Sequence, residues 1–394
     1  MRIGLVLSNT PAQSETFFIS KIKGLQENGY EVVLFASQTE DFRLCRVIPH
    51  PEVIRNPFTQ LTKMIISYIV LFLKRPFIFL SYLNHEKKDG ITIRSRWENL
   101  YINSHILKEN LDWLHFGFAT MAIRRENVAR VIGARMGVSI RGYDICVYPL
   151  KHPGCYQRLW DKVDKIHSIS DDLLEFAKEQ GLKNHTPQVI IKPAIDLNYF
   201  KTREKNWEKF NSEGTTQLLT VGRLHWKKGL EYTLQALAIL EQKSIPFKYT
   251  IVGDGEERER LIFISHQMGL ENRVTFTGSI QHDEIIKYYK EADIYLQYSI
   301  QEGFCNAVLE AQAVGLLTIV SDAEGLPENV INNITGWVLP KRNPVYLSKK
   351  IMEVINLSTS KKSEISLYAR KRINKRFNLS IQSIAFNSFY GNMY

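Results

Sequence analysis

The chain has 394 residues, 44% hydrophobic and 23% charged, with a formal net charge of +10. This length and composition allow two or three domains with sizeable apolar cores, and exclude a disordered chain, a collagen-like repeat and a disulfide scaffold. The four cysteines, Cys45, Cys146, Cys155 and Cys305, form no CxxC pair and no zinc-ligand spacing, so reduced thiols and no metal site are expected.

In chain order, residues 3–7 form an apolar run too short for a signal peptide; they are read as a first strand, and no export is expected. A polar loop, NTPAQSE, and a helical pattern through Phe17, Phe18, Ile22 and Leu25 lead to Asn28-Gly29. The run EVVLFAS then reads as a second buried strand, giving a βαβ unit and hence a parallel sheet. Further strands are expected at 113–116, 138–140, 165–168 and 189–191. A polar stretch, KTREKNWEKFNSEG, precedes a second alternation. Its strands are expected in TQLLTVGRL, FKYTIVGDG, VTFTG, DIYLQYS, LLTIVSD and GWVL, with helices between them and one from about Asn306. The boundary is placed between Lys192 and Gly214, and two such domains imply a ligand-binding cleft.

The charge is uneven. Residues 1–195 hold 26 basic and 19 acidic side chains, and the remainder 25 and 22. No carboxylate occurs between Glu52 and Glu86, where the apolar, aromatic run MIISYIVLFLKRPFIFLSYL also lies. Lys74, Arg75 and Pro76 interrupt that run, so a spanning helix is not expected. Residues 54–83 read either as a pair of core helices or as a membrane-facing surface.

Two segments carry chemistry. In QEGFCNAVLEAQAVG, Glu302 precedes a helix that contains Glu310 among Ala307, Val308, Leu309, Ala311 and Ala313. A carboxylate buried on so apolar a helix needs hydrogen-bond donors, and a ribose diol would supply two. Free amides at the helix start would suit a phosphate. The alternative is a solvated helical glutamate. In VGRLHWKKGLE, Arg223 and Lys228 sit between a strand and a helix start, as a diphosphate clamp requires; solvated loop cations are the alternative.

Together these segments resemble the retaining glycosyltransferases of family 4, in the polysaccharide-assembly branch of exopolysaccharide and colanic-acid type. The resemblance runs through VGRLHWKKG, IVGDGEERERL, VTFTGSI, ADIYLQYSIQEGFCNAVLEA and SDAEGLPENV, and its core is the E-x7-E pattern. It implies an α/β GT-B fold, two Rossmann-like doubly wound domains facing across a cleft. An acceptor-side domain would span residues 1–195 and a nucleotide-sugar domain 196–378, with a C-terminal helix, 379–394, packing back on the first. It also implies roles. Arg223 and Lys228 would bind the diphosphate; Glu302 would be catalytic, beside the donor sugar. Backbone amides of Phe304, Cys305 and Asn306 would meet sugar and phosphates, Glu310 the ribose, and the backbone at Ser279 and Ile280 the base.

The first domain resembles the family through PAQSETFFISKI, LHFG and SIRGYD. His115, in LHFG, would be catalytic, beside the donor sugar or the acceptor; a satisfied core histidine is the alternative. Arg141 stands where the family often has histidine, and arginine cannot act as a base. It is left as a phosphate or sugar contact, and Asp144 as a fold-stabilising or acceptor-side carboxylate.

The expected activity is metal-independent hexosyl transfer from a UDP- or GDP-sugar to a glycan or lipid-linked glycan, with no cofactor. The expected place is cytoplasmic, peripheral on the inner membrane surface. An epimerase or phosphorylase on the same fold and a non-catalytic glycan- or lipid-binding relative are the alternatives. Nucleic acid is not an expected partner, because the basic excess does not lie along a groove-reading helix. No GxGxxG follows the first strand, which leaves dinucleotide binding unsupported.

Overall fold

The computed structural model describes residues 1–11, 16–37, 42–200, 207–208 and 214–391. Part of the NTPAQSE loop and most of the polar boundary stretch lie outside the described residues. The chain divides into two units, Met1–Ile191 with Ser383–Tyr394, and Lys192–Gln382.

The first unit is built on a seven-stranded parallel sheet. Its strands are β1 (Arg2–Asn9), β2 (Glu31–Ser37), β3 (Arg46–Ile48), β4 (Trp113–Phe116), β5 (Arg135–Ile140), β6 (Lys165–Ser168) and β7 (Gln188–Ile190), in the order β3-β2-β1-β4-β5-β6-β7. The apolar runs form strands here because both faces are covered, as a parallel sheet requires. The central strand β1 buries five consecutive residues. The edge strand β3 was not expected: it is three residues long, never fully buried, and carries no alternation to read. The apolar core draws on both ends of the chain, with Phe386, Phe389 and Tyr390 packed beside Leu5, Phe17, Ile22 and Trp113.

Between β3 and β4 lie the helices Pro57–Lys74, Pro76–Lys88 and Ile93–Leu107. Asn56 caps the first, its Oδ1 accepting from the N–H groups of Phe58 at 3.0 Å and Thr59 at 3.2 Å. Pro76 cannot continue that helix but starts the next, and the two axes meet at 118°. Among the described residues no single helix is long and apolar enough to cross a membrane. Of the 18 residues in Pro57–Lys74 only Leu71 is buried, so this helix is not a core helix.

The second unit repeats the plan with six parallel strands: β8 (Thr216–Val221), β9 (Phe247–Val252), β10 (Val274–Gly278), β11 (Ile294–Gln297), β12 (Leu317–Ser321) and β13 (Trp337–Leu339). Their order is β10-β9-β8-β11-β12-β13. Its core gathers Leu218, Tyr249, Ile251, Leu296 and Ile319 from the sheet with Leu234 and Leu237 from the helix Leu230–Gln242. In both sheets the strand order reverses beside the first strand, which makes them doubly wound.

Candidate functional site

In the second unit the reversal falls between β8 and β11, and ligands of such sheets bind beyond the C-terminal strand ends at that point. Leaving β8, the chain passes Gly222 and Arg223, makes a short helical turn at Trp226–Lys228, and enters the helix Leu230–Gln242. Glycines let neighbouring loops press against it. A Cβ on Gly253 would lie 2.1 Å from the Gly222 carbonyl oxygen, and one on Gly255 2.3 Å from that of Leu224. The Leu224 N–H donates across this contact to Asp254 at 2.9 Å. Gly229, at φ +60°, does the same for the chain leaving β11: a Cβ there would meet the Tyr298 carbonyl oxygen at 2.4 Å. Beside it the Ile300 N–H donates to the Lys227 carbonyl at 2.7 Å.

That docking brings Glu302, past the end of β11, to Lys228, with Nζ 2.5 Å from Oε2 and both side chains largely buried. Burial works against the Lys228 ammonium, but the Glu302 carboxylate outweighs it and holds the pKa above the usual lysine value. Arg223 is exposed, makes no ion pair among the described residues, and its charge opposes that of Lys228. The Glu302 N–H donates to Glu324 Oε2 at 3.0 Å, and Lys341 Nζ holds the other Glu324 oxygen at 3.0 Å. Glu324 sits at φ +36°, a backbone that L residues rarely adopt. The turn that grips Glu302 is therefore strained.

The helix Asn306–Val314 starts beyond this grip, and no side chain among the described residues caps it. The amides of its first turn have no intrahelical acceptor, and Asn306, half-buried, is its first residue. The expectation for Cys305 needs correction. Its N–H donates to Asn329 Oδ1 at 3.1 Å, and Asn329 Nδ2 donates back to the Cys305 carbonyl at 2.8 Å, so this amide is already used. Burial also pushes the Cys305 thiol up to about 12, which removes it as a nucleophile at neutral pH. The Phe304 ring is buried, 5.9 Å from that of Phe377.

Glu310 is half-buried on the same helix, not a solvated glutamate. Burial raises its carboxyl to about 7, against the opposing effect of the Tyr289 hydroxyl, which donates to Oε2 at 2.7 Å. The site thus offers a cation pair, a helix start, and a carboxyl short of donors. Ser279, exposed, and Ile280, half-buried, follow β10.

The first-unit candidates are placed differently. His115 lies within β4, is 0% exposed, and both ring nitrogens are occupied: Nδ1 with the Tyr390 hydroxyl at 2.7 Å, Nε2 with Ser139 Oγ at 2.8 Å and Lys21 Nζ at 3.2 Å. Ser139 continues to His167 Nδ1 at 2.7 Å, and His167 Nε2 to the Ile191 carbonyl at 3.0 Å. Burial, then the Lys21 charge, holds His115 well below the usual histidine value. The catalytic expectation for His115 is corrected: it is a satisfied core histidine, because a residue within a strand of a covered sheet faces the core. Arg141, expected to contact phosphate or sugar, sets its guanidinium 3.7 Å from the Phe17 ring centroid and 4.4 Å from that of Phe18. Asp144 is buried and accepts from the N–H groups of Ala119 at 3.1 Å, Arg141 at 3.1 Å and Gly142 at 2.9 Å, the fold-stabilising of its two readings.

Sequence reasoning missed Tyr289, Glu324, Asn329, Lys341 and the Lys21–His167 chain. Glu324 and Asn329 lie in the quoted SDAEGLPENV stretch without assigned roles. Tyr289 is one of two adjacent tyrosines, and only packing distinguishes the buried one.

Residues 201–372 match the family model described as Glycosyl transferases group 1. Over 411 aligned residues the chain is 24% identical to WcaL of Escherichia coli strain K12, named as a colanic acid biosynthesis glycosyltransferase, with 97% of each chain covered. It is 28% identical over 282 residues to the amylovoran biosynthesis glycosyltransferase AmsK of Erwinia amylovora, covering 68% of this chain and 66% of that one. Among solved structures, Alr3699/HepE of Anabaena in complex with UDP has a similar fold, with TM-score 0.73 and 16% identity over 100% of both chains. The chain thus has the GT-B fold of two parallel-sheet α/β units, and its second unit carries the domain that matches the group 1 glycosyltransferases.

Proposed function

We propose that this glycosyltransferase moves a hexose from a UDP- or GDP-sugar to a lipid-linked glycan in surface polysaccharide assembly, with retention and without a metal ion. It would work peripherally at the cytoplasmic face of the membrane. The observation that carries the reading is the Lys228–Glu302 pair beside an uncapped helix that bears Glu310. The relatives named for colanic acid and amylovoran biosynthesis support a polysaccharide product.

A bound diphosphate would take over Lys228 and engage Arg223, so that fixed positive charge stands where negative charge grows. Glu302, released from Lys228, would accept hydrogen bonds from sugar hydroxyls. Ribose hydroxyls would give Glu310 the donors it lacks and lower its pKa from about 7. The bond from sugar C1 to the diphosphate oxygen breaks as the acceptor oxygen bonds C1 on the same face. The acceptor proton passes to the leaving phosphate oxygen.

A panel of nucleotide-sugars tested by thermal unfolding checks this. A true donor at about 100 times its Kd should add roughly 2.7 kcal/mol of stability. The same donor should yield a glycan with one new linkage of retained configuration, in chelator as well as in Mg²⁺. Activity lost in chelator and restored by Mg²⁺ counts against the metal-independent form.

A further inference from the structure

The carboxylate-free stretch of the first unit forms an apolar ridge that none of the described residues covers. On the helix Pro57–Lys74, Phe58, Leu61, Ile65, Ile69 and Phe72 recur at three- and four-residue spacing, and all are exposed. The extremes are Phe58 at 82%, Leu73 at 74% and Phe77 at 86%, the last two on either side of the 118° bend. Arg75, at the bend, does not face outward with them. Its guanidinium donates to the carbonyls of Glu109 at 2.8 Å and Leu107 at 3.3 Å, and to Asn110 Oδ1. The elbow therefore presents leucine and phenylalanine, with Lys74 exposed beside them.

The surrounding charge decides what this ridge fits. Arg55, Lys63 and Lys74 lie along it, and Glu52 at its margin is paired with Lys63 at 2.6 Å. Glu98, on the helix Ile93–Leu107, is paired with both Arg94 and Arg124. A second copy docking ridge to ridge would face cations with cations and have no carboxylate to pair them. A bilayer accepts the apolar side chains, and anionic headgroups pair the lysine and arginine heads at the same depth.

We propose that the bent pair Pro57–Lys74 and Pro76–Lys88 inserts edgewise into one leaflet of an anionic membrane, with Phe58, Leu73 and Phe77 as anchors and Arg55 and Lys74 on headgroup phosphates. The proposal deepens the reading of a lipid-linked acceptor, on which it rests for its purpose. Its test needs no sugar transfer.

The full chain is co-sedimented with phosphatidylcholine vesicles and with mixed phosphatidylcholine–phosphatidylglycerol vesicles, at low and high salt. Binding is expected to the mixed vesicles and to weaken with salt. The triple variant Phe58→Ser, Leu73→Ser, Phe77→Ser should bind about tenfold or more weakly with an unchanged melting temperature, since it loses only exposed apolar area. The double variant Arg55→Glu, Lys74→Glu should lose the preference for phosphatidylglycerol. Sugar transfer to a water-soluble acceptor should be the same in all three proteins. Wild-type protein that stays in the supernatant overturns the proposal, as does a triple variant that binds like wild type. So does a wild-type dimer, without lipid binding, that the triple variant abolishes. Vesicle binding without transfer from any donor would overturn the transferase reading alone.

Discussion

Each unit holds a cluster of ionisable side chains at the middle of a doubly wound sheet, and the two clusters are opposites. In the second unit Lys228, Glu302 and Glu310 lie on segments past the strand ends, partly open and short of partners. In the first unit Lys21, His115, Ser139 and His167 lie under Tyr390, buried and joined in one hydrogen-bonded chain. A ligand site is recognised by groups that still need something. A structural network is recognised by groups that have it already.

The largest expected effect tests the open cluster. Lys228→Ala should lower transfer by about 10²–10³, the cost of removing one charge-stabilising group, and Glu302→Gln should be comparably poor. Both should fold. Wild-type turnover in Glu302→Gln would remove this site from the chemistry.

The closed cluster should respond in stability instead. His115→Ala takes one hydrogen-bond partner each from Ser139, Tyr390 and Lys21 in a packed core, which should cost about 2–4 kcal/mol in denaturant unfolding. Donor-induced stabilisation of the second unit should persist. A stable His115→Ala protein that binds donor yet transfers nothing would return His115 to the reaction.

The clusters should also differ in the sign of their pH response. His115 and His167 are held below the usual histidine value, so the unfolded chain binds more protons and stability falls as pH drops below about 6.5. Glu310 is raised to about 7, so its contribution is present below about 4.5 and is lost as pH rises towards 7. Glu310→Gln should therefore raise the melting temperature of the donor-free protein by about 2–4 °C at pH 8. At pH 5 it should change little. An equal gain at both pH values would mean that Glu310 does not titrate between them.

The smallest effect concerns Tyr289. Tyr289→Phe removes one neutral hydrogen bond to Glu310 and should weaken donor binding by about three- to tenfold in titration calorimetry. Tighter binding would mean that the hydroxyl competes with the ribose.

Most strands were legible because buried parallel strands read as apolar runs: EVVLFAS is β2 from end to end, and VTFTG is β10. The short edge strand β3 was not, since one exposed and two half-buried residues carry no pattern. At the site, Glu302, Glu310, Arg223 and Lys228 could be singled out because strand-to-loop-to-helix passages are local. The occupied Cys305 amide could not, because its partner Asn329 arrives from a separate turn. For residues 54–83 composition left core and surface equally open. Which side chains are covered depends on what else packs there, and Pro57–Lys74 is covered along one side only, where Tyr68 meets Trp97 and Leu71 is buried.

By itself, the sequence determined the alternation of strands and helices, the two α/β units, and the two charged loops of the second. These follow from local period and from neighbours along the chain. Only the tertiary structure decided which ionisable groups are closed off and which remain open. His115 is satisfied by Tyr390, 275 positions away, while Lys228 meets Glu302 across 74 and Glu310 has Tyr289 as donor. Burial and partner count are properties of what is folded on top of a residue, and the residue's own neighbours in the chain do not contain them.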